Sequence, residues 1–229
     1  DRNYYTANSA CNANLNTLLT TLSSNTEINY AFYNFSYGQN QDKVNAIGLC
    51  RGDHKPHECL SCLNDSRGNL TQRYPNQKEA IIYYDKCMLC YSSRLIFGAM
   101  RPNPAFYLVH VNNETEVDQF NQVLGNLTSN LKAAASLGDS YRKYATDNAT
   151  ATNFQTLHGM VLCTPDLSQQ DCFDCLDRAI SQIPNCCNGK ISGRVLTPSC
   201  NIRYETYSFY EPTPMLYPPS TLTPSSTNK

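Results

Sequence analysis

The apolar positions of this chain alternate between helical stripes and strand-like runs. Leu15, Leu18, Leu19 and Leu22 recur at i, i+3, i+4 and i+7, which sets four leucines on one helical face. Residues 1–11 carry Tyr4 and Tyr5 and read as a short strand ending at Cys11. Tyr30 to Tyr37 is aromatic and polar by turns, the pattern of an extended segment. Pro56 and Glu58 suit the first turn of a helix that begins just before Cys59. Cys59, Cys62, Leu63 and Leu70 share its face, and Tyr74-Pro75-Asn76 breaks it. Ala80 to Met88, dominated by Ile and Tyr, predicts one strand.

The second half repeats these signals. Two prolines within residues 101–105 mark a junction. Ala105 to Val111 is strand-like, and Phe120, Val123, Leu124, Leu127 and Leu131 repeat the earlier leucine stripe. Ser168 with Asp171 resembles a capping box. Cys172, Cys175, Leu176, Ala179, Ile180 and Ile183 then fall on one helical face, and Pro184 ends that helix. Gly193 to Tyr210 predicts two strand segments around Cys200. From Glu211 onward Pro, Ser and Thr dominate, so residues 211–229 read as an extended tether without a core.

The cysteines turn this similarity into a duplication. Cys50, Cys59 and Cys62 follow the spacing C-x8-C-x2-C, and Cys163, Cys172 and Cys175 repeat it 113 residues later. A fourth cysteine follows 25 residues on in each copy, Cys87 and Cys200. A fixed spacing used twice marks an internal repeat. At 229 residues the chain fits two modules of roughly 100 residues, each with a modest core that gains from covalent staples.

Twelve cysteines raise the choice between zinc and disulfides. The chain has only four histidines, and His54 and His57 of the first copy have no counterparts in the second. Six Asn-x-Ser/Thr sequons, at Asn34, Asn64, Asn69, Asn113, Asn126 and Asn148, point to the secretory pathway, where disulfides persist. The balance therefore favours disulfides. A formal net charge of −1 without a basic run argues against a nucleic-acid or anionic-membrane partner. No stretch approaches the ~20 apolar residues of a membrane span. No signal peptide is visible at Asp1, which fits a mature or trimmed chain.

Candidate chemistry is sparse. Arg51-Gly52-Asp53 spells an adhesion tripeptide, but three residues recur by chance and these adjoin a structural cysteine. His54 and His57 lack an evident third metal ligand and read as solvated loop histidines. A nucleophilic cysteine needs a free thiolate and a histidine partner, and His110 and His158 sit in no recognisable motif. The sixteen tyrosines read chiefly as core and sheet-surface packing, with a few available for a binding surface. No metal, cofactor or catalytic residue is expected.

The two C-x8-C-x2-C motifs, the helical stripes and the run Asn201-Ile-Arg-Tyr-Glu-Thr-Tyr resemble the plant cysteine-rich stress-antifungal domain, named after the seed protein ginkbilobin. The tandem arrangement with its Pro/Ser/Thr tail resembles the ectodomain of a plant cysteine-rich receptor-like kinase. The resemblance implies an α+β fold of two tandem modules, each with about five antiparallel strands on two helices. It implies an extracellular chain at the plasma membrane, whose cytoplasmic Ser/Thr kinase is absent here. The modules are expected over residues 1–102 and 103–210, followed by the tether at 211–229. Matching apolar stripes and a short junction predict one rigid body.

The resemblance also implies pairings that spacing alone could not select. It joins Cys50 to Cys59, Cys62 to Cys87, Cys163 to Cys172 and Cys175 to Cys200. The family's third bridge ties an N-terminal cysteine to one 13 residues before the late cysteine. In the first copy that position is Tyr74, which strands Cys11, and Cys90 is extra. A compensating Cys11–Cys90 bridge is therefore expected. In the second copy Cys187 holds the position beside Cys186, and either a bridge between these neighbours or free or intermolecular thiols remains open.

The family's mannose site uses an Asn, an Arg and a Glu. The corresponding residues are Asn12, Ile81 and Ser92 in the first copy, and Arg194 and Glu205, without the Asn, in the second. Asn12, Arg194 and Glu205 are thus a possible sugar-binding remnant, with Arg194–Glu205 expected as an ion pair on adjacent strands. The resulting expectation is a receptor ectodomain that binds an apoplastic ligand, carbohydrate among the candidates, or a partner ectodomain. The alternative is a secreted mannose-binding antifungal protein.

Overall fold

The computed structural model describes residues 4–24, 31–151 and 155–211. Tyr30, the first three residues of the expected N-terminal strand and residues 212–229 of the expected tether lie outside them. The first repeat opens with α1 (Ala10–Ser24). Strands β1 (Phe32–Tyr37) and β2 (Val44–Cys50), helix α2 (Pro56–Arg73), and strands β3 (Glu79–Tyr83) and β4 (Cys87–Ser92) follow. The second repeat runs through β5 (Phe106–Val109), α3 (Val117–Ser136), β6 (Lys143–Thr150) and β7 (Thr156–Cys163). It continues with α4 (Gln169–Ile180), the one-turn α5 (Ile183–Cys186), β8 (Gly193–Leu196) and β9 (Cys200–Glu205).

All strand pairing in the two sheets is antiparallel, in the orders β1-β2-β4-β3 and β5-β8-β9-β7-β6. The second sheet has five strands and the first has four. In the first, among the described residues, the isolated bridge of Tyr4 with Gln77 is all that stands where a fifth strand would lie. Residues 4–9 thus form no strand leading up to Cys11, which lies in the first turn of α1. The run expected as one strand over Ala80–Met88 is a hairpin. Its turn closes where Tyr84 N–H donates to the Cys87 carbonyl at 2.8 Å, with Asp85 and Lys86 at the tip. Pro184 does not end α4; it lies in the first turn of α5, after α4 has stopped at Ile180.

Alternation along the strands divides each sheet into two faces. Even-numbered β2 residues Val44 and Ala46, with Leu89 and Tyr91 of β4, pack against Leu15, Leu18, Leu19, Leu63 and Leu70. In the second repeat, Leu157, Val161, Val195, Ile202 and Tyr204 pack against Phe120, Leu124, Leu127, Leu131 and Leu176. Gly159 permits the helix to approach, since a Cβ there would lie 2.7 Å from Leu131. Ser168 caps α4 by accepting the Asp171 N–H at 3.0 Å.

The opposite sheet faces meet each other. Ile47, Leu49, Met88, Cys90 and Ile96 of the first repeat join Met160 and Leu162 of the second in a third buried cluster. The molecule is therefore layered helix, sheet, sheet, helix. Strands β2, β4 and β9 are buried along their whole length because both faces are covered. At ~1.5 kcal/mol or more per buried aliphatic side chain, the seam contributes on the order of 10 kcal/mol.

Disulfides join Cys50–Cys59, Cys62–Cys87, Cys163–Cys172 and Cys175–Cys200. Cys186 is bonded to Cys187, with Cα atoms 3.8 Å apart. Cys11 and Cys90 are free thiols, contrary to the expected bridge. Cys11 packs with the helix-side core and Cys90 with the seam, so the first sheet lies between them.

Candidate functional site

The residues singled out as a sugar-binding remnant separate in space. Asn12 lies on α1, where its carboxamide accepts from Asn16 Nδ2 at 3.1 Å. Ser92 is buried and donates its hydroxyl to Glu79 at 3.3 Å, while Ile81 packs against the seam cluster. Arg194 and Glu205 both lie on the seam-facing side of the second sheet. They are not bonded to each other, which corrects the expected pair. Arg194 is instead opposite Arg203 in the β8–β9 register. Its Nη2 reaches across to Asp85 of the first repeat at 2.7 Å, and Glu205 Oε1 accepts from Arg203 Nε at 2.8 Å.

Asp85, at the β3–β4 turn, is the hub. It accepts from Arg51 Nη1 at 3.1 Å, Arg194 Nη2 at 2.7 Å and Arg203 Nη1 at 2.8 Å. Arg51 also forks onto Asp53 through Nε at 3.1 Å and Nη2 at 2.6 Å. Three guanidinium groups thus meet three carboxylates across the seam. Burial opposes ionisation of Asp85, but hydrogen bonding and charge from Arg194, with Arg203 and Arg51 beside it, hold its carboxyl below the usual range. Burial likewise opposes ionisation of Asp53, and Arg51 outweighs it in the same direction.

A C-terminal strap closes this end of the seam. Arg51 Nη2 donates to the Phe209 carbonyl at 2.7 Å, and Glu211 N–H donates to Asp53 at 3.2 Å. The Arg203 guanidinium stacks 4.0 Å from the Phe209 ring centroid. Tyr210 donates to the Asp147 carbonyl at 2.8 Å and meets the His158 ring edge-on at 5.8 Å.

The tripeptide Arg51-Gly52-Asp53 is therefore internal. The Arg51 and Asp53 side chains are 6% and 1% exposed. A Cβ on Gly52 would meet the Tyr144 ring of the second repeat at 2.7 Å, so glycine is what admits that ring. His54 is not the solvated histidine expected from its loop. Its side chain is largely buried, Nδ1 lies 3.7 Å from Glu58, and Nε2 is buried without a hydrogen-bond partner. Burial lowers its pKa, as it does that of His158. His57 is exposed, and His110 is exposed with Nδ1 accepting the Asn112 N–H at 3.1 Å. No group of three His, Cys, Asp or Glu converges as a metal site among the described residues.

The space bordered by Arg194, Arg203, Asp85 and Tyr84 is about 30 Å³. That holds a water or two, not a hexose. Two larger grooves lie on the described surface. One of about 420 Å³ is built jointly by Glu79, Ile81 and Arg94 of the first repeat, Arg101 and Pro104 of the junction, and Pro198 of the second. Another, of about 430 Å³, is lined by His57, Glu58, Asp65, Tyr84 and Lys86. The joint groove had no signal in the sequence beyond the prolines of the junction. Of the sequons, Asn34, Asn64, Asn113, Asn126 and Asn148 are exposed. Asn69 is half-buried, with Nδ2 donating to Tyr84 Oη at 2.7 Å.

Two helix-backed antiparallel sheets, each stapled by the same two disulfide spacings and packed through their free faces, define a tandem α+β cysteine-rich fold. The chain belongs to the salt stress response/antifungal (Stress-antifung) family, which matches residues 1–94 and 109–207. Cysteine-rich receptor-like protein kinase 29 of Arabidopsis thaliana is 41% identical over 214 residues, covering 92% of this chain and 32% of that protein. Kinase 25 of the same species is 42% identical over 225 residues, covering 94% of this chain and 33% of the relative. The chain thus spans about a third of the length of these kinases. An antimicrobial ginkbilobin-2-like protein of Castanea crenata is 41% identical over 207 residues, covering 90% of this chain and 85% of that protein.

In fold, the chain is similar to the tandem DUF26 ectodomain of the Arabidopsis thaliana cysteine-rich receptor-like protein PDLP8. The TM-score is 0.74 at 21% identity, covering 90% of this chain and 94% of that one. The corresponding ectodomain of PDLP5 gives a TM-score of 0.67 at 20% identity, over 90% and 95%. No catalytic domain is evident in the chain, whose matched residues are those of the two stress-antifungal repeats.

Proposed function

We propose that this chain is the extracellular ligand- or partner-binding region of a plant receptor-like kinase acting in stress or defence signalling. In this reading residues 1–102 and 103–210 are the two modules, and 211–229 is the tether toward a membrane span and a cytoplasmic kinase. In this reading the exposed sequons at Asn34, Asn64, Asn113, Asn126 and Asn148 are the glycan sites, which keeps the bound partner to the surfaces between them. One observation carries the reading: Arg194 and Glu205, the positions carried over from mannose recognition, are committed to ion pairs, and Arg194 faces only about 30 Å³ of free space. A rigid two-module body remains, with a groove of about 420 Å³ to which both modules contribute. Such concave, partly apolar sites are where small ligands bind.

The ginkbilobin-2-like relative supports a second reading, a secreted mannose-binding antifungal protein. Calorimetric titration with mannose separates the two. The receptor reading expects no stoichiometric heat, alongside ligand or partner-ectodomain binding that weakens when Pro198→Arg fills the joint groove. Tight mannose binding that Arg194→Ala or Glu205→Ala abolishes would overturn it.

A further inference from the structure

Three of the four sheet edges carry protection against pairing with another chain. Strand β6 contains the exposed Asp147 and the sequon at Asn148, and β1 carries the sequon at Asn34. Glu79 of β3 is bridged by Arg94 at 2.6 Å. Charge, bulk and short length are the usual devices that keep an edge from recruiting a neighbour. The fourth edge, β5, has none of them except length.

Strand β5 reads Phe106-Tyr107-Leu108-Val109 and is hydrogen-bonded on one side only, to β8. Its residues are 45%, 43%, 53% and 45% exposed, and Val111 beyond it is 83% exposed. Consecutive residues point to opposite faces, so both faces of this edge are uncovered. Residues 105–111 contain no Pro, Lys, Arg, Asp or Glu. The strand is also held in place: Phe106 meets Tyr83 of the first repeat edge-on at 5.8 Å.

We infer that β5 pairs with β5 of a second copy of this chain, forming a reversible two-fold dimer with one continuous ten-stranded sheet. An antiparallel pairing centred on Leu108 sets Leu108 opposite its own copy and Tyr107 opposite Val109 on either side of it. The Tyr107–Val109 pair, made twice by the symmetry, is an aromatic–aliphatic pair of the stabilising kind. Because the strand is uncharged, self-pairing brings no like charges together, whereas a foreign strand must supply a matching apolar pattern. A two-fold contact closes on itself and does not propagate into fibres. The exposed side chains amount to roughly 500 Å² per copy, the low end for a specific interface, so the dimer is weak in solution. Tethering copies to one surface raises their effective concentration and favours it.

Sedimentation velocity of the glycosylated 229-residue chain, from about 1 µM to about 1 mM, tests this. A monomer–dimer equilibrium is expected. Leu108→Lys, which sets two ammonium groups near the two-fold axis, should weaken it at least tenfold. Leu95→Lys, at a residue 71% exposed elsewhere, should leave it unchanged. Hydrogen exchange on the unmutated chain gives a second readout, with amide exchange over 106–109 slowing as concentration rises. A chain that stays monomeric throughout, leaving the edge to another protein's strand, overturns the inference. So does a dimer indifferent to Leu108→Lys, growth beyond dimers, or exchange at β5 that does not depend on concentration.

Discussion

The two repeats are nearly the same object on one face and different objects on the other. Toward their helices, both bury a leucine-rich stripe against alternate strand residues, with the same two disulfide spacings of 9 and 25 residues. Toward the seam, the first repeat offers Ile47, Leu49, Met88 and Cys90, while the second adds Arg194, Arg203 and Glu205 to Met160 and Leu162. The duplicated motif thus secures each core, and divergence is concentrated where the copies meet. The seam also holds Arg194 and Glu205, each committed to an ion pair there.

Breaking the seam should have the largest effect. Arg203→Ala leaves Glu205 buried without its partner and should cost about 3–5 kcal/mol, read from chemical denaturation. The unmodified chain should melt in one transition, because the shared cluster couples the cores; two separate transitions would show independent modules. Removing the same staple from each copy asks whether the cores are equivalent. Cys62→Ser with Cys87→Ser, and Cys175→Ser with Cys200→Ser, close equal loops and should each cost about 3.5 kcal/mol. A large inequality would place the difference between the repeats in the cores as well. Gly52→Val drives a side chain into the Tyr144 ring and should cost about 1–3 kcal/mol, again without affecting either core.

Acid should loosen the seam in preference to the cores. Burial lowers the folded pKa of His54 and His158, so the unfolded chain binds more protons as pH drops below 6.5. Their contribution is present above that value and is lost as pH falls toward the depressed folded pKa. Asp53 and Asp85 act in the same direction at lower pH, from 3.8 downward. Thermal melts should therefore fall between pH 7.5 and 5, and His54→Gln should flatten the slope. The smallest effect concerns the two free thiols. Burial pushes Cys90 up to about 11 and raises Cys11 as well. Both should resist alkylation in the folded chain and react fully on unfolding, as followed by intact mass.

Much of this was legible because helices announce themselves by periodicity. The stripes at Leu15–Leu22 and Phe120–Leu131 lie in α1 and α3 as read. The failures share a cause. Alternation along β4 correctly sets Cys90 opposite Cys87, but it does not say which face the helices cover. Extending the leucine stripe one turn back from Leu15 reaches Cys11, which would have placed it on the Cys87 side. The adjacent charges Asp85-Lys86 inside an apolar run were the signal of a turn. The partners of Arg194 could not be read at all, since Asp85 lies 109 residues away and meets it only when the sheets stack.

The strap over the seam has a mechanical consequence. Glu211 and Phe209 are fastened to Asp53 and Arg51, residues of the opposite repeat from the strand they leave. Tension applied to the chain beyond Glu211 therefore does not fall first on β9. It is delivered at a fixed exit point, shared between both halves, and must unzip the strap before it can peel a sheet. A pull or twist at one end is thereby transmitted to the whole body as to a single handle.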